Sequence, residues 1–429
     1  MNILIIGNSG AGTAAIESIR KHDRQSSIIQ LSDEAQPLYS RCLLSYYLAG
    51  SIDKEKLLYR EEEFHKEMGV ELHTGPGFRV VELNAAQRRV VCDNGRTFNY
   101  DRILIAVGAS AKLPDGMPND KGIFVLRNLA DVEAIKENIR DADAKRAVVF
   151  GGGLIGVKAA VALNMCGLRT TMVVSSKQVL SQVLDYAAGQ IIAGQLRENN
   201  IEILQPAGIT EIISRDNRLK GVKTDRGQVL DCDILIVAKG VTPNIQLAQA
   251  AGVAVRRGIV TDSTMQTDHE NIFAAGDVAE AFDIAIEDYT VNALWTCAVQ
   301  QGRIAGLNII GKKTDYNGAI GMNSLNVCDV SIISFGVTSP KEESKYKTLV
   351  LNQPERNVYK KIVIDSKSHI KGIILLGKID NAGVLLSLIQ RKADVSSFED
   401  ELLSDRFNYG TLLKYGGEKE LGRYYNTGG

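Results

Sequence analysis

Residues 146–158 read RAVVFGGGLIGVK, and no other stretch limits so tightly what this chain can fold into. A short apolar run of strand character passes into Gly151-x-Gly153-x-x-Gly156 and then into a helical pattern. This is a dinucleotide-binding turn. Its first glycine makes the tight bend, the second lets the backbone approach a pyrophosphate, and the third lets helix and strand pack closely, with the phosphates at the helix N-terminus. One such turn is a weak signal. The chain opens, however, on a second version, NILIIGNSGAG, in which Gly7 and Gly12 keep the outer spacing and Ser9 stands at the middle glycine. Two turns in one chain imply two bound dinucleotides.

A chain of 429 residues, 45% of them hydrophobic, has room for two to three domains with ample core. Lys and Arg number 50 against 51 Asp and Glu, so charge directs the protein to neither nucleic acid nor anionic membrane. No apolar run reaches the roughly 18 residues of a membrane span, and because Met1 leads directly into a strand-like run no signal peptide is expected. The six cysteines, Cys42, Cys92, Cys166, Cys232, Cys297 and Cys328, lack the spacing of a metal site or disulfide framework. A reduced, cytoplasmic protein is expected.

In the first segment, residues 2–6 read as a buried parallel strand, 12–22 as its helix and 27–31 as the next strand. Ser32-Asp33-Glu34 falls where a ribose-binding acid is expected. Asp33 is the first choice and Glu34 the second, the alternative being solvated charges at a strand end. Residues 78–91 alternate and turn through Asp93-Asn94-Gly95 as a hairpin, and 102–107 form a buried strand closing at Gly108. In the second unit, a helix over 154–164 and a strand over 170–174 lead to Ser175-Ser176-Lys177. An acid here would bond the ribose hydroxyls and repel a 2′-phosphate, whereas two hydroxyls and a lysine suit that phosphate, which favours NADP(H) over NAD(H). A lysine at a strand end also needs no function.

Short strands within 208–230 and a buried one over 233–237 complete that unit, and the chain then returns to the first. Residues 239–244, KGVTPN, make the crossing, and 271–277, NIFAAGD, place a strand before Gly276-Asp277. The Asp277 carboxylate reads as opening a helix, where its ordinary role is a cap; its place after a second dinucleotide domain favours a functional role. The division expected is 1–114 with 241–315, then 115–240, then 316–429. In the last part, 346–351, 357–364 and 369–376 read as antiparallel strands and 381–392 as a helix. The stretch from Ser396 shows no clear period, and is either a disordered tail or an arm that orders on a partner.

Together the two glycine motifs, Val107-Gly108, Gly240-Val241-Thr242-Pro243-Asn244, Ala275-Gly276-Asp277, and Trp295 with Ala298, Gln301 and Gly302 resemble the pyridine nucleotide-disulfide oxidoreductase superfamily over about residues 1–311. The resemblance implies an α/β fold of two Rossmann-like dinucleotide-binding domains, the NAD(P) domain inserted in the FAD domain, with a small α+β C-terminal interface domain. It places FAD on the first, with Gly7, Ser9, Gly10, Ala11 and Gly12 at the pyrophosphate, Asp33 or Glu34 at the adenosine ribose, and Gly276 and Asp277 near the ribityl chain. Val80, Ala106, Gly108 and Ala298 complete the implied FAD contacts. NAD(P)H, with NADPH preferred, is implied at Gly151, Gly153, Ile155, Gly156, Ser175, Lys177 and Gly240. Hydride transfer between two stacked rings then makes no protein acid, base or nucleophile obligatory.

Residues 37–50, PLYSRCLLSYYLAG, are similar to the segment entering the flavin site in NAD(P)H:rubredoxin reductases, in the flavin module of assimilatory nitrite reductases and in coenzyme A disulfide reductases. In the last of these a redox cysteine occupies the place of Cys42. Arg41 is thereby implied at the flavin's polar edge, where a cation stabilises negative charge, its alternative being a surface ion pair. The alternative for Cys42 is a small core residue on an apolar helix face. Two departures turn away from thiol chemistry: Lys158 stands where the superfamily often has Glu, and the C-terminal His-Pro and Glu elements of glutathione-reductase-like members are absent.

Arg41, Cys42 and Lys158 are therefore the candidate catalytic residues. Arg41 is expected to lower the Cys42 thiol pKa, or with Lys158 to steer an acidic partner. Three functions follow from the resemblance. The first is an NAD(P)H-linked FAD oxidoreductase exchanging electrons with ferredoxin, rubredoxin or iron-sulfur subunits of a larger complex. The second is a coenzyme A disulfide reductase, or an oxidase or peroxidase, using Cys42. The third is a non-catalytic assembly flavoprotein. The resemblance is compatible with a homo-oligomer or with a subunit of a larger complex, and the sequence does not give the oligomeric state.

Overall fold

The computed structural model describes residues 1–340 and 342–415. Two five-stranded parallel sheets dominate it. The first runs Ile272–Ala274, Arg102–Ile105, Asn2–Ile6, Ser27–Ser32, Val70–Thr74, and the second Ile123–Phe124, Ile234–Val237, Arg146–Phe150, Arg169–Val173, Ile201–Leu204. The central strands NILII and RAVVF are buried at every position after their first residue, because helices and loops cover both faces of a parallel sheet. The two sheets share one plan. In each, a crossover helix, Gly10–Arg20 or Leu154–Met165, carries the central strand to a parallel neighbour on one side, and a strand from far along the chain pairs on the other.

The helix Trp295–Ile309 returns to lie against Gly10–Arg20. Their backbones touch through small residues: a Cβ on Gly302 would fall on the Ala11 carbonyl and one on Gly306 would meet Ala15 and Ser18. Gly276 packs against Ala11 and Ala298 of these two helices, which brings residue 277 beside the first glycine turn.

The C-terminal sheet is antiparallel, ordered Met322–Val327, Val330–Gly336, Ile370–Leu376, Val358–Asp365, Tyr346–Gln353. Its first two strands add to the three read from sequence. One face packs through Leu325, Ile332, Tyr359 and Ile374 into the core of the second parallel sheet's helices. The Tyr359 hydroxyl and the Lys361 ammonium both reach Asp185 ahead of the helix Tyr186–Glu198, at 2.6 and 3.0 Å. The other face is covered by the helix Ala382–Gln390 and by Phe398, Leu402, Phe407 and Leu412. The stretch from Ser396 thus folds onto the sheet as far as residue 415, anchored where buried Lys360 meets Asp405 at 2.7 Å; residues 416–429 lie outside the described residues.

The expected single hairpin near residue 93 is a three-stranded unit, Val80–Asn84, Arg89–Cys92, Thr97–Asn99, with Asp93-Asn94-Gly95 in its second turn. Among the described residues no helix is long and apolar enough to cross a membrane.

Candidate functional site

Gly7 ends the first central strand at φ 119°, and a Cβ there would fall on the carbonyl of Ala106, so only glycine closes this bend. Gly12 in turn packs on the Gly7 carbonyl, which also accepts a 2.9 Å bond from buried Gln30. The helix's first backbone bond runs from Thr13 N–H to the Ser9 carbonyl at 3.0 Å. The amides of Gly10, Ala11 and Gly12 therefore have no acceptor within the helix, and the Ser9 side chain caps none of them. Gly10 sits against the Trp295 ring, and Gly276, at φ 82°, closes over Ala11 and Ala298 while its N–H bonds Gln301 at 2.8 Å. This concave row of donor amides on glycine backbone fits a pyrophosphate. Ala106 meets the Gly7 position, Gly108 follows it after the strand Arg102–Ile105, and Val80 packs against the same core as Ala106.

The second turn repeats this geometry. Gly151 has φ 139° and its Cβ would fall on the Ala238 carbonyl; Gly156 packs on the Gly151 carbonyl. A Cβ on Gly153 would meet nothing within 4 Å. The first helical bond runs from Val157 N–H to the Gly153 carbonyl at 2.9 Å, leaving the amides of Leu154, exposed Ile155 and Gly156 without helical acceptors. Ser175 and Lys177 are exposed beyond the next strand, and Ser176 is held by a 2.7 Å bond to the Gln178 carbonyl. Gly240, at φ 93°, leads into Val241–Pro243, which pairs antiparallel with Ala109–Ala111 and so ties the two parallel-sheet units together.

Between the two turns lies a chain of charged groups. Arg41 pairs with Glu34, whose other oxygen accepts 2.7 Å from the Tyr39 hydroxyl. The Arg41 guanidinium also donates to the Arg127 carbonyl at 3.1 Å, and Arg127 pairs with Asp277 at 2.7 Å while donating to the Ala109 carbonyl at 3.0 Å. Both members of the Arg127–Asp277 pair are well sheltered, with side chains 26% and 16% exposed. Glu34 is thus committed to Arg41 and Tyr39, whereas Asp33, the first choice for a ribose acid, is exposed. Asp277 opens no helix: the chain turns into the strand Ala279–Asp283, and the carboxylate meets a guanidinium instead of a row of amides.

Arg127 was not among the residues singled out from sequence. The local signal is the capping box that follows it, Asn128 with Asp131, which starts the helix Leu129–Asp141 and also binds the Arg127 amide at 2.8 Å. That signal places Arg127 at a helix entrance but not beside Asp277.

Cys42 lies in the short 3₁₀ turn Arg41–Leu43 and is exposed, which corrects the alternative of a core cysteine. The groups around its sulfur still strip water from it. That desolvation pushes the thiol pKa up, the Lys158 ammonium and a bond with Ser40 pull it down, and Asp277 pushes it up again; the net direction is up. Arg41 does not lower it, because its guanidinium is turned to Glu34; the acting cations are Lys158, from the second glycine turn's helix, and, more weakly, Arg127. Burial lowers the Lys158 pKa, and its ammonium lies 5.1 Å from the centroid of the Tyr46 ring. The structure therefore brings Cys42, Lys158, Arg127 and Asp277 to one mouth between the two glycine turns.

Residues 1–302 match the model of the pyridine nucleotide-disulphide oxidoreductases, and residues 322–393 that of the rubredoxin NAD+ reductase C-terminal domain. The assimilatory nitrate reductase electron transfer subunit of Bacillus subtilis is 28% identical over 405 residues, covering 94% of this chain and 51% of that protein. This chain therefore spans about half the length of that relative. The NADH-dependent phenylglyoxylate dehydrogenase subunit epsilon of Aromatoleum evansii is 29% identical, with 94% of each chain covered. The crystal structure of reduced Bacillus anthracis CoADR-RHD superposes with a TM-score of 0.85 at 26% identity, over 94% of this chain and 76% of that one. The chain belongs to the pyridine nucleotide-disulphide oxidoreductase family, whose members are FAD- and NAD(P)H-dependent oxidoreductases.

Proposed function

We propose that this chain is an FAD-dependent NAD(P)H oxidoreductase that exchanges electrons with an iron-sulfur protein, or with iron-sulfur subunits of a larger complex. The observation that carries this reading is the pair of equivalent glycine turns, each with its first helical amides open, facing one mouth lined by residues of both. The Gly7–Gly12 turn would hold FAD and the Gly151–Gly156 turn the nicotinamide nucleotide. Bound FAD supplies the chemistry that links two-electron hydride transfer to one-electron delivery. The chain's own residues bind and orient. Open amides take the phosphates; Arg127 pairs with the Asp277 carboxylate; Arg41, held by Glu34, presents an oriented guanidinium whose charge that carboxylate balances.

Lys158 stands at the mouth with its charge unpaired by any carboxylate among the described residues, which suits the docking of an acidic electron carrier. The names of two relatives support the same reading, one an electron transfer subunit and the other a subunit of an NADH-dependent dehydrogenase. Ser175, Ser176 and Lys177, with no acid beside them in the chain before Asp185, favour NADP(H).

A second reading, coenzyme A disulfide reduction through Cys42, draws on the nearness of Lys158 to that thiol. The net rise in the thiol pKa opposes it, since such chemistry needs a thiolate. Cys42→Ser separates the two. We expect it to retain most NADPH-driven reduction of a ferredoxin, while coenzyme A disulfide supports little turnover in the parent. Robust disulfide reduction that vanishes in Cys42→Ser would reverse the ranking.

A further inference from the structure

Lys239 follows the strand Ile234–Val237, and its side chain does not point away from the sheet end. It lies over the ring of Phe150, the last residue of the central strand, with its ammonium 4.2 Å from the ring centroid. From there it donates a 2.9 Å bond to the Ser175 hydroxyl, beyond the end of Arg169–Val173. These three strands are neighbours in the sheet, and at about 4.8 Å per strand the link bridges roughly 10 Å of the crevice at their C-terminal ends. In a doubly wound sheet that crevice is where a dinucleotide lies.

The surroundings are cationic and lack a counter-charge. Lys112 is close enough to lower the Lys239 pKa, second only to burial. The Lys112 amide bonds the Gly240 carbonyl at 2.9 Å, which fixes it on the same rim, and Lys177 is exposed two residues from Ser175. Among the described residues none of these three lysines has a carboxylate within ion-pair distance. A half-buried ammonium bound only to a serine hydroxyl and an aromatic face, with Lys112 beside it and exposed Lys177 two residues along the chain from its serine partner, is a site waiting for an anion.

We propose that Lys239 is the principal ligand for the 2′-phosphate of NADP(H), its ammonium already oriented by Ser175, with Lys112 and Lys177 supplying the surrounding positive field. The assignment rests on the NADP(H) reading given above and makes it specific, because it moves the main contact from exposed Lys177 to a lysine contributed by a different strand. Lys177 is free to swing in solvent and loses more side-chain entropy on binding; Lys239 is already held.

The test is calorimetric titration of the holoprotein with 2′,5′-ADP and with 5′-AMP, which differ only in the phosphate at issue. Lys239→Ala should weaken 2′,5′-ADP roughly tenfold or more, as the loss of a charge-assisted contact requires, and change 5′-AMP less than about twofold. Lys239→Arg should recover most of the difference. Equal weakening of both ligands would overturn the assignment by making Lys239 a contact to phosphate common to both nucleotides, and unchanged binding of both would overturn it outright. If the parent discriminates and Lys177→Ala, not Lys239→Ala, erases that, the assignment fails while the NADP(H) reading stands. A parent that binds the two ligands equally sinks both.

Discussion

Replacing Gly153 by alanine separates what the second turn does for the fold from what it does for a nucleotide. Gly153 has φ −79° and ψ −174°, an extended conformation open to alanine, and a methyl there would meet no protein atom within 4 Å. The first turn already carries a side chain at this position, since Ser9 has φ −145° and ψ −164°. The structural cost is confined to the poorer helix N-cap, about 0.5–1 kcal/mol. Gly151→Ala is different: φ 139° alone costs about 1–3 kcal/mol for a residue with a Cβ, and overlap with the Ala238 carbonyl adds to it. The open space at Gly153 is where a pyrophosphate would approach the amides. A methyl there, which unlike the Ser9 hydroxyl has no donor to offer a phosphate in return, should forfeit about 1.5–3 kcal/mol of charge-assisted bonding, a ten- to roughly hundredfold loss in nucleotide affinity. Circular dichroism melting, the ratio of flavin to protein absorbance and titration with NADPH measure the three terms. Gly153→Ala should melt close to the parent, keep its flavin and bind NADPH weakly, while Gly151→Ala loses melting temperature as well. A Gly153→Ala protein that unfolds with Gly151→Ala, or binds NADPH like the parent, refutes the reasoning.

Two further outcomes follow from the charged mouth. Arg127→Ala leaves the sheltered Asp277 carboxylate without its guanidinium, at a cost of about 1–3 kcal/mol; FAD retained through purification and the melting temperature should both fall, and Arg127→Lys should recover only part because it cannot also reach the Ala109 carbonyl with the same fork. Unchanged flavin content in Arg127→Ala would count against a role at the first turn. Because the Cys42 pKa is raised, its thiol stays protonated across neutral pH and becomes thiolate only above its usual range near 8.5. Iodoacetamide should therefore modify Cys42 more slowly than glutathione at pH 7, with a rate still climbing past pH 9 and displaced further upward in Lys158→Ala; a plateau below pH 7 would contradict this.

The two-dinucleotide architecture is legible in the sequence because each glycine turn is a steric requirement with fixed spacing. Gly7 and Gly151 need positive φ, Gly12 and Gly156 need contact with their own first glycine's carbonyl, and both demands are local. The residues that gather between the turns are not local. Arg127 reaches Asp277 across 150 positions and Lys239 reaches Ser175 across 64, and neither basic residue stands in a pattern that names its partner. Cys42 misleads for a different reason: the apolar run after it is helical, but the cysteine itself sits in the 3₁₀ turn that precedes the helix Leu44–Leu48, outside its buried face. The strand Met322–Val327 is not legible in the sequence because exposed Ser324 and Asn326 alternate with Leu325 and Val327, leaving a buried face of only two apolar residues.

Anaerobic titration followed by electron transfer tests the central claim most directly. The purified protein should carry one FAD per chain, be bleached by a stoichiometric amount of NADPH, and regain its yellow colour when an oxidised ferredoxin or rubredoxin is added, at a rate that falls with ionic strength. A colourless protein that takes up no FAD on reconstitution, or a bleached one that coenzyme A disulfide reoxidises while iron-sulfur proteins do not, would contradict it.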